Sequence, residues 1–459
     1  MYDLIIIGAG TAGISAYKEA IKYTQNILII NDGPWDTTCA RVGCMPSKVL
    51  ILSANRMHEM QQHGGLGLTA QVKIDTSQVM PHVQQLRDRF TRATLKDVDS
   101  WKTEHKISGR AEFIDTNTVQ VNNQSYQAKS FILAVGTTPS IDQELKEKLG
   151  KRLITTDEVF ELEKLPKSLA VIGSGVIAVE LAQAMHRLGV NTHIFARSRR
   201  IGALSSPALQ KLAHEELSKE LNLHFETLPS DYQNTENGVE LSYMENGRNQ
   251  TLIVDCVMAA TGRKTLLNTL KLENIHLNFK DLKNLPVDSK TKQLSDLPIY
   301  IVGDAYTSTP IQHEAAHEGK HAAKHCLRAN PDQEVKTLTP LGIVFCSPEM
   351  AMLGQNYKQL KDRNIEFVTG SIDFRKQGRA IINAKNQGAA EIYVDKGSRK
   401  VLGAELFCHE AEHLAHLLAW MIDEALTVDD LLDKPYYHPT IVEGLRTALK
   451  HARRQLDSQ

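Results

Sequence analysis

What the chain lacks narrows it first. Its 53 lysines and arginines and 54 aspartates and glutamates nearly cancel, leaving a formal charge of −1. There is therefore no basic excess with which to hold nucleic acid. Six cysteines in 459 residues are too few and too scattered for the disulfide framework of a secreted domain. Cys256, Cys326, Cys346 and Cys408 read as small buried residues, and only Cys39 and Cys44 lie close together. No apolar run approaches the length of a membrane span and no signal peptide precedes the first apolar segment, so a cytoplasmic protein with no membrane partner is expected. Low-complexity segments are missing too. What remains is ordinary for a globular chain, 42% hydrophobic and 23% charged, at a length that calls for two to four domains.

The N-terminus reads as a strand, Tyr2 to Gly8, running into Gly8-Ala-Gly10-Thr-Ala-Gly13. A helix to about Tyr23 and a second strand, Ile27–Ile30, follow. In this β-α-β setting Gly8 permits the tight turn, Gly10 lets a pyrophosphate approach the backbone, and Gly13 allows the helix to pack on the strand. Amides at the helix N-terminus would meet the phosphate. The second strand of such a unit normally ends in an acid that holds the ribose hydroxyls; here that end is Asn31-Asp32, either of which can accept a hydrogen bond.

A second unit of the same kind begins at Leu169, with Gly173, Gly175 and Ala178 in the glycine positions and Glu180 just beyond. Its second strand, Asn191–Ala196, ends in Arg197-Ser-Arg199-Arg200. No acid stands where the 2′-hydroxyl of NAD would be held, and three arginines could instead hold a 2′-phosphate. The reading leans to NADP(H). Two such units imply two bound dinucleotides, as an enzyme coupling FAD to a nicotinamide requires. Further strands run into glycine at Phe131–Gly136, Cys256–Gly262 and Leu297–Gly303, the last followed by Asp304. Residues 54–107 look helical, with short strands near Ala111–Ile114 and Thr118–Val121. The last 120 or so residues alternate strand-like runs (Gly342–Phe345, Val401–Phe407) with helices (His413–Glu424, Thr440–His451). The fold class expected is α/β, with two Rossmann-like dinucleotide-binding domains and a C-terminal α+β domain.

Between the first unit and its long helical region lies Cys39-Ala-Arg-Val-Gly-Cys44-Met-Pro-Ser-Lys48. Apolar Val49, Leu50 and Leu52 follow in a pattern that suits a helix entering a core. Cys44 would then sit near a helix N-terminus with Lys48 one turn on, an environment that favours a thiolate. Cys39 can reach back to form a disulfide whose small ring adds little stability, so a redox-active pair is the better reading. HExxH, the zinc-protease pattern, occurs at His313–His317 and at His409–His413. Eighteen histidines in a glutamate-rich chain make chance matches credible, and no metal site is expected.

Taken together, Gly8/Gly10/Gly13, Cys39–Cys44 with Pro-Ser-Lys48, Gly173/Gly175/Ala178 with Glu180, Gly303-Asp304 and His438-Pro-Thr-Ile-Val-Glu443 occur in an order that resembles the class I flavoprotein disulfide oxidoreductases. The resemblance runs from residue 2 to about 450. It implies a homodimer with active sites shared between subunits, FAD and NAD(P) as cofactors, and a small dithiol, disulfide or lipoyl-bearing substrate. The domains expected are 1–143 with 264–335 (FAD-binding and central), 144–263 (NAD(P)-binding) and 336–459 (dimerisation). By the same resemblance Cys39 is the interchange thiol and Cys44 the thiolate against the flavin. Lys48 and Glu180 form an ion pair beside the reactive ring nitrogen. His438 from the partner chain is the general acid/base, and Glu443 orients its imidazole. FAD would also meet Thr38, Ala111, Gly136 and Gln312, with Gly262 at the exit of the nicotinamide domain.

Within this family the Pro-Ser-Lys triplet and His313–Gly319 are most similar to dihydrolipoamide dehydrogenases, and the arginine turn to glutathione reductases. Mercuric reductase is disfavoured because the chain ends Gln-Leu-Asp-Ser-Gln459 with no cysteine pair. A non-catalytic FAD-binding dimer is the reading from another class, against which the intact cysteine pair speaks. Three departures stand out: Trp35-Asp-Thr-Thr38 where two glycines are usual, Asn31 for the usual glutamate, and Tyr436-Tyr437 before His438.

Overall fold

The computed structural model describes residues 1–61, 67–69, 71–307, 310–327 and 337–458. The chain opens with β1 (Leu4–Ile7), α1 (Thr11–Ala20) and β2 (Ile27–Asn31). These strands lie at the centre of a five-stranded sheet in which Ile299–Ile301 and Phe131–Leu133 extend one side and β3 (Lys106–Ser108) the other. All its pairings are parallel. Successive side chains of a strand point to opposite faces. Accordingly Ile5, Ile7, Leu28 and Ile30 enter one apolar core while Leu4, Ile6, Ile27 and Ile29 enter another. Burial on both faces is why these strands read as unbroken apolar runs.

After β2 the chain forms α2 (Thr38–Val42), then α3 (Cys44–Gln61) and α4 (Thr76–Asp99). A second parallel sheet is built from Asn222–Phe225, Asn191–Ala196, Ser168–Ile172, Cys256–Ala259 and Leu153–Ile154, in that spatial order. Its central strand leads into the helix Val176–Arg187. An antiparallel ribbon, Thr137–Pro139 with Arg263–Thr265, joins the two halves. The C-terminal region is a five-stranded antiparallel sheet covered by the helices Ala411–Asp423 and Glu443–Asp457. No helix among the described residues is long and apolar enough to cross a membrane.

Several expectations are corrected. The first helix stops at Ala20 and the chain turns before Tyr23. Residues 54–107 are not one helical region: α3 ends at Gln61, α4 at Asp99, and Lys106–Ser108 is the edge strand β3. Residues 62–66 and 70 of that stretch, and the 335/336 boundary, lie outside the described residues. Leu52 does not enter the core but is 57% exposed, while Val49, Leu50, Ile51 and Ala54 are buried. The last helix begins at Glu443, leaving Thr440 in the preceding loop, where its amide donates to Glu443 Oε2 at 3.0 Å.

Candidate active site

The site starts from the two glycine turns. Gly8 has φ +105° and Gly173 φ +119°, a region closed to ordinary side chains and open to glycine. A Cβ on Gly13 would collide with the Gly8 carbonyl, so only glycine lets α1 sit this close to β1. A Cβ on Gly10 or on Gly175 would meet nothing within 4 Å. Each turn thus leaves a cradle in front of a helix N-terminus that a side chain would fill. Both fit a dinucleotide pyrophosphate.

Around the first cradle the residues divide. Asn31 is buried and its side chain is spent on the loop: Oδ1 accepts from Ala9 N at 2.9 Å, and Nδ2 donates to the carbonyls of Gly33 and Pro34 at 2.9 and 3.0 Å. The group at this corner that faces solvent is Asp32, paired with Arg110 at 2.7 Å. Ala111 is buried in the core, so its backbone is what a ligand could meet. Thr38 and Gln312 are exposed at the first positions of their helices. Gly136, at φ +67°, sits at the start of the ribbon that Arg263 clasps through Thr137. Gly262 accepts from Ser140 N at the other end of the ribbon. Gly303 donates its amide to Glu318 at 2.7 Å. Asp304 takes no hydrogen bond from the described residues; burial pushes its carboxyl up, against the pull of the Arg263 guanidinium. A half-hidden acceptor without a protein partner suits a ligand hydroxyl.

Cys44 is the first residue of α3 and Cys39 the second of α2. The neighbouring Cys39 sulfur holds the exposed Cys44 thiol down to about 7, helped by the Lys48 ammonium. The same pairing, with burial, pushes Cys39 well up. One sulfur is thus a ready thiolate and its neighbour keeps its proton. The loop before them holds Thr37 at φ +66°, with Oγ1 accepting from Ala40 N at 3.2 Å.

One turn along α3, Lys48 Nζ reaches Glu180 Oε2 at 2.9 Å. The other oxygen of Glu180 accepts from Phe345 N at 2.7 Å, and the Lys48 ammonium lies 4.5 Å above the Phe345 ring. The glutamate is buried, yet both oxygens have donors, which is the condition for keeping a charge there. Two more turns of the same helix extend the seam. Gln183 exchanges two hydrogen bonds with Ser347, accepting from its amide at 2.7 Å and donating to its carbonyl at 2.8 Å. Arg187 binds Glu220 through two nitrogens and donates to Asn55 Oδ1 at 2.7 Å. Helix Val176–Arg187 is therefore joined to α3 on one side and to the C-terminal region on the other. Phe345, Gln183 and Ser347 carry no motif; their one sequence signal is that Gln183 follows Glu180 by a helical turn.

His438 Nδ1 stands 3.1 Å from both oxygens of Glu443. The Thr440 amide, then His438, hold the Glu443 carboxyl below its usual range. The imidazole is 80% exposed, and no hydrogen bond or ion pair among the described residues links it to Cys39 or Cys44 of its own chain. Arg197, Arg199 and Arg200 are all exposed, and among the described residues only Arg199 of the three faces an acid, Glu226 at 3.7 Å. His409 precedes the helix that carries His413, and His313 lies 3.8 Å from its own neighbour Glu314. Among the described residues no group of three or more His, Cys, Asp or Glu side chains is placed to hold a metal.

Comparison with known proteins gives the family. Residues 2–319 match the profile of the pyridine nucleotide-disulphide oxidoreductases, and residues 341–449 that of their dimerisation domain. A mercuric reductase of Staphylococcus aureus is 30% identical over 452 residues, covering 97% of this chain and 82% of the relative. A dihydrolipoyl dehydrogenase of Geobacillus stearothermophilus is 28% identical over 449 residues, covering 96% and 94%. Among solved structures, LpdA from Mycobacterium tuberculosis superposes with a TM-score of 0.84 at 22% identity, covering 99% of this chain and 100% of that one. The HOCl-induced flavoprotein disulfide reductase RclA from Escherichia coli gives 0.79 at 18% identity, covering 98% and 99%. At these identities the structural likenesses speak for the fold.

Proposed function

The chain belongs to the pyridine nucleotide-disulphide oxidoreductase family, and from that premise we propose that it oxidises a small dithiol of the dihydrolipoyl kind through Cys39 and Cys44. The family makes it a flavoprotein oxidoreductase that uses FAD and a pyridine nucleotide, and its dimerisation domain marks a homodimer. What supports the finer reading is placement: Cys44 is the first residue of α3 with Lys48 one turn along it, and Cys39 is the second residue of the helix just before.

With the pair oxidised, a substrate thiolate attacks Cys39 Sγ, and the S–S bond breaks with its electrons on Cys44. The helix N-terminus and Lys48 stabilise that thiolate. The second substrate thiolate then attacks the substrate sulfur now bound to Cys39. The substrate leaves as a disulfide, and Cys39 departs as a thiolate that takes up a proton. His438 of the partner subunit accepts the two substrate protons in turn at Nε2, releasing the first to solvent and delivering the second to Cys39. The Glu443 carboxylate at Nδ1 fixes the tautomer and stabilises the imidazolium. The first glycine cradle with Asp304 would hold FAD, and the second would hold the nicotinamide coenzyme. FAD, when bound, carries the electron pair between the dithiol and the nicotinamide. Lys48, neutralised by Glu180, places a fixed local dipole beside that path.

The arginine turn favours a second reading, an NADPH-dependent reductase of a low-molecular-weight disulfide, which runs the same exchange in reverse. One panel on purified holoenzyme separates them: NADH against NADPH, each with lipoamide, glutathione disulfide and Hg(II). The first reading expects lipoamide turnover well above the others. The second expects turnover of a disulfide other than lipoamide, with NADPH preferred. Turnover of Hg(II) alone overturns both.

A further inference from the structure

The segment that follows the arginine turn is fastened from two domains. Within its own domain, Ser174 Oγ donates to the Arg200 carbonyl at 2.6 Å and Gly202 N donates to the Ser174 carbonyl at 2.7 Å. Gln210 accepts from Ile201 N at 3.0 Å and donates to the carbonyls of Ile201 and Leu204 at 2.9 and 2.7 Å. The last fastening comes from outside. Glu405, on strand Val401–Cys408 of the C-terminal sheet, is 0% exposed. One of its oxygens accepts from Ser205 N at 2.6 Å and Ser206 N at 3.0 Å. The other accepts from Ser205 Oγ at 2.5 Å and Tyr357 N at 2.9 Å. Lys358 N in turn donates to Ser205 Oγ at 3.1 Å.

No cation within ion-pair distance faces this carboxylate among the described residues; three amides and a hydroxyl support it. Removing a charge from water costs several kcal/mol and is recovered only when every lone pair is met. A buried charge is a heavy commitment for tying down a surface loop, unless the position of that loop matters. Upstream of the anchor stand Arg197, Arg199 and Arg200, long side chains that lose rotamer freedom when they converge on an anion. A backbone already in place lowers that cost of binding.

We propose that Glu405 is a positioning residue for nicotinamide coenzyme binding: it clamps Ser205 and Ser206 so that the arginines at 197–200 are held ready for a 2′-phosphate. The inference rests on the reading of that turn as a phosphate site. It assigns to the C-terminal domain a part in coenzyme selection.

The probe is 2′,5′-ADP, which carries the 2′-phosphate without the nicotinamide, titrated calorimetrically into purified holoenzyme. In Glu405→Gln an amide replaces two acceptor positions, and Kd should rise about tenfold, the equivalent of ~1.4 kcal/mol and of one hydrogen bond to a charged group. Ser205→Ala removes a single hydroxyl and should raise Kd about threefold, on the scale of an ordinary hydrogen bond. Far-UV circular dichroism and the flavin spectrum report folding in both. In each variant Kd for 5′-AMP, which lacks the 2′-phosphate, should stay at the wild-type value. Equal Kd for 2′,5′-ADP in wild type and Ser205→Ala, or a parallel loss for 5′-AMP, overturns the proposal, and Ser205→Ala decides it should Glu405→Gln fail to fold. A wild type that does not bind 2′,5′-ADP more tightly than 5′-AMP overturns the phosphate reading itself, and is seen before any variant is made.

Discussion

Cys39 and Cys44 act on each other's acidity in opposite senses, the pairing pushing the Cys39 thiol up and holding the Cys44 thiol down. Cys44 already sits at a helix N-terminus with Lys48 nearby, so three favourable effects bear on one atom. Removing Cys39 should show in the other sulfur. In Cys39→Ala the Cys44 thiol should titrate closer to its ordinary value of about 8.5. Alkylation by iodoacetamide at pH 7 should slow, and its pH profile should move up. An unmoved profile would show that the Cys39 thiol contributes nothing to Cys44.

Linkage gives that pair a stability signature. The folded chain binds the Cys44 proton less tightly than the unfolded chain does, since the folded pKa is depressed to about 7. The stabilisation it contributes is therefore full above the unfolded pKa of about 8.5 and is lost as pH falls through about 7. Urea denaturation of reduced wild type and reduced Cys44→Ser, compared at pH 9.5 and pH 6, isolates this contribution. The wild-type advantage should shrink at the lower pH.

Lys48 and Glu180 are unequal partners, because the carboxylate is buried and the ammonium reaches water. Lys48→Ala leaves a buried carboxylate supported, among the described residues, only by the Phe345 amide. A cost of about 2–3 kcal/mol follows, toward the low side for a broken buried pair because the lysine is partly solvated. Glu180→Gln keeps an acceptor for Phe345 and should cost less. Chemical denaturation of the two variants orders them, and the reverse order would count against this account.

Thr37 has a β-branched side chain at φ +66°, where such residues are rare. Backbone strain of this sort is worth about 1–3 kcal/mol, whereas glycine in place of a threonine N-cap costs only a few tenths. Thr37→Gly should therefore stabilise the holoenzyme by roughly 1 kcal/mol. Thr37→Ala, which keeps the strain and loses the cap to Ala40 N, should destabilise it by a similar amount. Thermal unfolding reads both signs.

The shared-site reading makes a complementation prediction. Cys39→Ser and His438→Gln homodimers should each lose the dithiol reaction, the second by 10²–10⁴-fold as expected for a lost acid/base group. After mixed refolding with FAD, half the dimers carry one of each chain, and each has one intact site. Activity should return to about a quarter of wild type. No recovery, with mixed dimers present, would place His438 and Cys39 in the same chain's site.

Much of the fold is legible in the sequence, and the reasons are physical. Both glycine turns follow a strand buried on both faces, which writes itself as an apolar run ending in glycine. The α3 start at Cys44 is readable from the apolar spacing that follows Lys48, whereas the Lys48–Glu180 pair, 132 residues apart, is implied only by the family resemblance. Other parts left no such mark. Strand Arg248–Val254 is mostly exposed, so it carries no apolar run to find. Leu52 follows the apolar spacing of its helix yet faces outward, because spacing alone does not say which face of a helix is covered. Asn31 stands where a ligand-binding acid is usual, but its amide donates to carbonyls two and three residues on, a use that sequence position cannot reveal. Glu405 and Ser205 are 200 residues apart, and nothing local to either announces the other.

Helix Val176–Arg187 holds Lys48 through Glu180, Ser347 through Gln183 and Asn55 through Arg187. Three neighbours are thus pinned along a single rod. Swinging the coenzyme-binding half outward as a body would have to break every one of those joints together. On the proposed reading, these joints rather than a hinge fix the separation between the two glycine cradles.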